Sequence, residues 1–133
     1  LLSPRYYYII FVTKEAWSSF KPGEKELETQ ISEQIEILKN TLKKKFSVKQ
    51  IFIFGSYAYG EPDKESDIDL CIISDLNNKR KIDIIREIRR ELIKLISNPL
   101  DILIYSEKGF KERAGLKSTL EHKILTNGFK IYG

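Results

Sequence analysis

Apolar residues recur at helical spacing in two long stretches of the chain and crowd into short runs elsewhere. Leu27, Ile31, Ile35, Leu38, Leu42 and Phe46 fall three or four apart, which predicts one amphipathic helix over residues 24–46. Pro22-Gly23 punctuates the chain just before it. Glu24, Glu26 and Glu28 crowd its first turns, and Lys43, Lys44 and Lys45 its last, so both ends complement the helix dipole. The lysine run therefore reads first as a helix terminus, ahead of a phosphate or RNA patch. Residues 82–97 predict a second amphipathic helix with Ile85, Ile88, Leu92 and Leu95 or Ile96 inward, stopped by Asn98-Pro99. The runs 50–54 (QIFIF), 67–73 (DIDLCII) and 100–105 (LDILIY) have the length and branching of buried strands. Residues 57–66 read as a connection and 74–81 as a turn. Residues 107–113 fit neither period. A last helix is predicted over 117–126, with Asn127-Gly128 as its C-terminal cap. Residues 129–132 form a short tail whose apolar side chains must still pack.

From residue 24 the order is helix, strand, loop, strand, helix, strand, helix. That order predicts a single α/β domain over residues 24–133, a small sheet with helices packed on it. Residues 1–23 stand apart as an N-terminal extension. Its run Tyr6–Val12 (YYYIIFV) favours a strand. Seven such residues in a row need covering, by addition to the sheet or by a homodimer contact.

Composition then narrows the partners. The chain has 133 residues, 23 basic and 19 acidic, for a net charge of +4. Residues 51–105 run against this balance, with ten acidic and eight basic groups. Mild basicity permits an anionic partner. The chain carries no aromatic stacking platform or recognised nucleic-acid motif, so nucleic acid is not the expected one. No apolar run reaches the roughly 18 residues of a membrane span, and Tyr6–Val12 is too short for a signal peptide. A single cysteine, Cys71, excludes an intrachain disulfide and, with one histidine, His122, a Cys/His zinc site. A reducing, cytoplasmic setting is the expectation. Cys71 reads as a small strand hydrophobe rather than a nucleophile, and His122 as a surface or satisfied side chain.

Candidate chemistry concentrates in residues 55–69 and at Asp101. Asp67 and Asp69 are two apart on a predicted strand, so their carboxylates should share a face among Ile68, Leu70 and Ile72. Two carboxylates on an apolar strand repel, and each raises the other's pKa unless a cation arrives. Magnesium meets that need, because it takes oxygen ligands and shares them with substrate phosphates. Asp101 is a third carboxylate in an otherwise apolar strand. Three carboxylates on adjacent strands could hold two magnesium ions about 3.5–4 Å apart, the spacing that aligns an attacking hydroxyl with a leaving pyrophosphate. Gly55-Ser56 follows the first strand directly, where the glycine N–H and the serine hydroxyl could hold terminal phosphates.

The joint pattern resembles the signature of the DNA polymerase beta-like nucleotidyltransferase superfamily, Gly-Ser, ten residues, Asp-x-Asp. Here that is Gly55-Ser56, residues 57–66 and Asp67-Ile68-Asp69. Ala58, Gly60, Ser66 and Leu70 narrow the resemblance to the minimal nucleotidyltransferase (MNT-type) domains of prokaryotes. Asp101 matches the third carboxylate, and Ile124-Leu125 with Gly128–Gly133 resembles the usual ending; the likeness covers about residues 27–133. The resemblance implies the mixed-sheet nucleotidyltransferase fold and transfer of a nucleoside monophosphate, AMP from ATP first among the choices, to a hydroxyl acceptor. It implies that Asp67 and Asp69 hold both Mg2+ ions, that Asp101 ligates the catalytic ion and helps activate the acceptor, and that Gly55 and Ser56 hold the β- and γ-phosphates. It further implies a partner, since many minimal members are antitoxins of a helical HEPN-type protein. A non-catalytic module that masks such a partner is the alternative, and a small-molecule, aminoglycoside-like transferase a more distant one. Tyr57 and Tyr59 stand where minimal members often carry basic residues, and they are expected to pack rather than to stack on a base.

Overall fold

The computed structural model describes residues 22–59 and 66–133. In chain order they form helix α1 (Pro22–Lys45), strand β1 (Val48–Phe54), one helical turn α2 (Ser56–Tyr59), strand β2 (Ile68–Ser74), helix α3 (Lys81–Leu92), strand β3 (Leu100–Tyr105), helices α4 (Glu107–Ala114) and α5 (Leu120–Asn127), and strand β4 (Phe129–Tyr132). The strands make one sheet in the order β3-β2-β1-β4. β1 is antiparallel to both neighbours, while β2 and β3, joined through α3, are parallel. This is the expected mixed α/β sheet with helices packed on it. The run Tyr6–Val12 lies outside the described residues, and α1 begins at Pro22, two residues ahead of its predicted start.

Both faces of the sheet are covered, which is why β1 and β2 read as unbroken apolar runs instead of alternating. On one face Ile51, Ile53, Leu70, Ile72 and Ile104 meet the stripe of α1, Ile31 to Leu42, and that of α3, Ile84 to Leu92. On the other, Phe52, Phe54, Cys71 and Ile73 meet Phe110, Ala114 and Ile124 of α4 and α5. Phe52 and Phe110 stack with ring centroids 5.7 Å apart. Lys45 bonds Glu91 of α3 at 2.6 Å, and the Lys43 ammonium lies 5.1 Å from the Tyr132 ring. Two of the three lysines at the end of α1 thus serve packing.

Several predicted boundaries move, each for a local reason. The helix expected to reach residue 97 ends at Leu92. Beyond it the Leu95 N–H bonds back to the Leu92 carbonyl, three residues away, and the turn tightens. That rotation buries Ile96 and leaves Leu95 exposed, while Ile84 is the buried residue at the start and Ile85 only partly so. Strand β2 starts at Ile68, so Asp67 precedes it. The last helix starts at Leu120 because Thr119 caps it, its Oγ1 accepting the His122 N–H at 3.1 Å. Residues 107–114, unreadable from periodicity, form a helix capped by Ser106, whose Oγ accepts the Gly109 N–H at 3.0 Å. Its buried face is only Phe110 and Ala114, four apart, too short a stripe to recognise in sequence. Residues 129–132 pair with β1 as a fourth strand.

Gly128 ends α5 for a different reason from the one expected. Its φ of −75° is one that any residue adopts, so no left-handed cap is present. A Cβ there would meet the Ile124 carbonyl at 2.6 Å and the Ile53 carbonyl at 3.1 Å. Close approach of the turn to β1 demands the glycine.

Candidate active site

The sheet register brings the acidic residues to one end. Phe54 of β1 pairs with Asp69 of β2, and Asp69 pairs with Asp101 of β3. Directly opposed residues project from the same face, so Asp69 and Asp101 are neighbours on the face that carries Cys71 and Leu103 one step further in. The strands parallel to each other thus begin with adjacent carboxylates. Asp69 is half-buried and Asp101 exposed, at the mouth of this face. Asp67 stands two residues upstream, exposed, just before the strand begins.

Gly55 closes the site from the β1 side. Its φ of +71° lies in the left-handed region that disfavours side chains, and a Cβ there would overlap the Asp69 carboxylate. The backbone turn is packed directly against that acid. Immediately after it, α2 opens at Ser56, with the Ala58 N–H bonded to the Gly55 carbonyl at 3.0 Å. Tyr57 points inward into the α1/α3 core and is 2% exposed, as expected of a packing residue. The side chain of Tyr59 lies outside the described residues.

Electrostatics single out Asp69. Its carboxyl is pushed up to about 6, first by burial, then by the charges of Asp101 and Asp67, and then by a hydrogen bond with Asp101. Among the described residues no three His, Cys, Asp or Glu side chains gather as a group that could hold a metal; Asp69 and Asp101 are paired by register, and the charge of Asp67 reaches Asp69 from two residues upstream. The chemistry of that pair, crowded hard-oxygen donors beside a backbone turn, fits a divalent cation whose remaining ligands come from phosphate.

Comparison with known proteins decides the family. The model of the nucleotidyltransferase domain matches residues 35–126, which spans β1, the Gly55-Ser56 turn, all three aspartates and all but the last residue of α5. The chain belongs to this nucleotidyltransferase family. Two proteins of Methanocaldococcus jannaschii are similar in sequence: "Putative protein adenylyltransferase MJ1379", 37% identical over 75 residues, or 56% of this chain and 75% of that protein, and "Putative protein adenylyltransferase MJ0604", 28% identical over 95 residues, or 70% of this chain and 89% of that one. A chain in a crystal structure of a toxin–antitoxin with AMP-PNP superposes with a TM-score of 0.51 at 20% identity, covering 76% of this chain and 72% of that one, which is likeness of fold.

Other titratable groups of this nucleotidyltransferase domain have structural explanations. Cys71 is fully buried, and burial together with the nearby Glu121 carboxylate pushes its thiol up to about 12. The His122 ring packs beside α4, its Nδ1 2.9 Å from the Ala114 carbonyl. Glu121 is buried between α4 and β3, bonded to Arg113 Nε at 2.9 Å and to the Tyr105 hydroxyl at 3.0 Å. Its second oxygen, Oε2, has no hydrogen-bond partner among the described residues. Sequence inspection missed Glu121 and also Asn98, which reads there only as a helix stop. Neither position carries a spacing signal: Arg113 is 8 residues from Glu121, and Tyr57, whose hydroxyl meets the Asn98 amide, is 41 from Asn98.

Proposed function

We propose that this domain is a magnesium-dependent nucleotidyltransferase that moves AMP from ATP to a hydroxyl on a protein acceptor. The observation that carries the reading is the Asp69–Asp101 pair, set by strand register against the Gly55 turn. The names of the two similar archaeal proteins support adenylyl transfer to protein. The fold neighbour, a chain of a toxin–antitoxin crystallised with AMP-PNP, supports a nucleotide substrate and an antitoxin role; that the partner is a helical protein of the HEPN type is carried by the sequence resemblance alone.

Asp69 and Asp101 would hold the ions, with Asp67 completing the set from the loop side. Magnesium, when bound, supplies positive charge where negative charge develops at the α-phosphate and the leaving pyrophosphate. Gly55 and Ser56 would hold the β- and γ-phosphates through backbone N–H groups and the serine hydroxyl. The acceptor oxygen forms a bond to the α-phosphorus as the bond to the β-bridging oxygen breaks, and Asp101, the more exposed acid of the pair, takes the hydroxyl proton. Incubation with each of the four α-labelled nucleoside triphosphates, magnesium and a lysate of the source cells should label a protein, most strongly from ATP. A parent protein that labels nothing with any of the four, its partner included, would sink the proposal and leave a masking module.

A further inference from the structure

We propose that Asn98 is the positioning residue that sets the phosphate-facing turn against the carboxylate strand. The inference rests on the nucleotide reading of the site. Asn98 is buried, with 6% of its surface exposed, on the short link between α3 and β3. Its Nδ2 donates to the Tyr57 hydroxyl and to the Ser66 carbonyl, both at 3.1 Å. A primary amide has two N–H bonds. Here one reaches the turn that follows Gly55-Ser56 and the other the residue before Asp67. Asn98 itself lies three residues before Asp101. One side chain therefore touches all three segments that carry the site.

The link that holds Asn98 is itself anchored. The Ser97 N–H donates to Gln34 Oε1 of α1 at 3.1 Å, the Ile68 N–H to the Pro99 carbonyl at 2.8 Å, and Arg89 Nη1 to the Leu100 carbonyl at 2.7 Å. Tyr57 is the matching inward anchor of α2. Its ring sits in the core and its hydroxyl meets Asn98, so α2 cannot slide without breaking a buried hydrogen bond. Any slide of α2 carries Gly55 and Ser56 with it, and Gly55 is already in contact with Asp69. The orientation of the phosphate-facing amides relative to the carboxylates is thereby referred to Asn98, which needs no contact with substrate.

Binding of AMP-PNP in magnesium, measured by calorimetry beside unfolding curves, separates positioning from bulk stability. Tyr57→Phe removes one hydroxyl and leaves the ring in place. We expect its affinity to fall about fivefold at a temperature where it is fully folded. Asn98→Ala cuts both arms and should lose about 10- to 30-fold. In the double variant the Tyr57 change should cost less than it does alone, because its bond to Asn98 is already gone. Should Asn98→Ala fail to fold, Tyr57→Phe alone decides. A purely structural bond would lower the unfolding midpoint and leave the affinity of the folded protein at the parental value, which would overturn the assignment of Asn98 while the nucleotide reading stands. No binding by the parent would overturn both.

Discussion

Two carboxylates on the same side of the sheet, Asp69 and Glu121, meet opposite environments. Both lose water on folding. Asp69 finds Asp101 and Asp67, which are like charges, and its carboxyl rises to about 6. Burial pushes Glu121 upward too, yet the bonds from Arg113 and Tyr105 outweigh it and hold that carboxyl below the ordinary 4.5. Burial alone thus says little about what an acid is for. A paired acid ties α5 to α4 and β3, whereas an acid crowded by its own kind and left at the mouth of a sheet invites a cation.

Substituting the two acids should break them apart most clearly. Asp69→Asn keeps size and removes charge, so nucleotidyl transfer should fall by on the order of 10²–10³ or more, about 3–4 kcal/mol, with the metal-free fold as stable as the parent or slightly more so. Glu121→Ala should do the reverse. It leaves the Arg113 and Tyr105 donors without their acceptor and opens a gap, so stability should drop by about 2–3 kcal/mol while transfer per folded molecule stays near parental. Transfer assays normalised to folded protein, with denaturant unfolding beside them, check both. A Glu121 variant that is stable but inactive would erase the distinction.

A smaller change probes the turn. Gly55→Ala places a methyl group onto Asp69 at a left-handed φ. We expect a stability loss of about 1–2 kcal/mol from backbone strain and, beyond that, weaker AMP-PNP binding, because the turn must back away from the acid. Parental affinity in this variant would show that the Gly55 contact does not shape the site.

The mildest effect is the pH response of the metal-free protein, and the two acids should give it opposite signs. Asp69 has a folded value of about 6 against an ordinary 3.8, so its contribution is present in full below about pH 4 and is lost as pH rises through 6. Glu121 is shifted downward, so its contribution is present above the ordinary 4.5 and is lost as pH falls through its folded value. Between pH 4 and 7 the parent should therefore lose stability relative to Asp69→Asn, by about 1 kcal/mol once solvent screening of a half-exposed group is allowed for. Magnesium should flatten that slope. Unfolding at several pH values in chelator and in magnesium measures it, and identical slopes for parent and Asp69→Asn would show that Asp69 is not crowded in solution.

Local rules carried the sequence a long way for this chain. The stripe from Ile31 to Leu42, the runs at 50–54, 67–73 and 100–105, and the spacing of Gly55-Ser56 from Asp67 and Asp69 are all legible, because helical period, strand burial and a contiguous motif act over a few residues. Asp101 was legible too, as a carboxylate out of place in an apolar strand. Tertiary structure alone decided what depends on register and on distant partners. It set Asp69 beside Asp101 and left Asp67 just outside the strand. It made a fourth strand of Phe129–Tyr132, a segment of four residues too short to read as a strand, by pairing it with β1. It turned Glu121 into an ion-paired anchor and Asn98 into a buried clasp, since a hydrogen bond spanning 41 residues leaves no periodic trace in the chain that forms it.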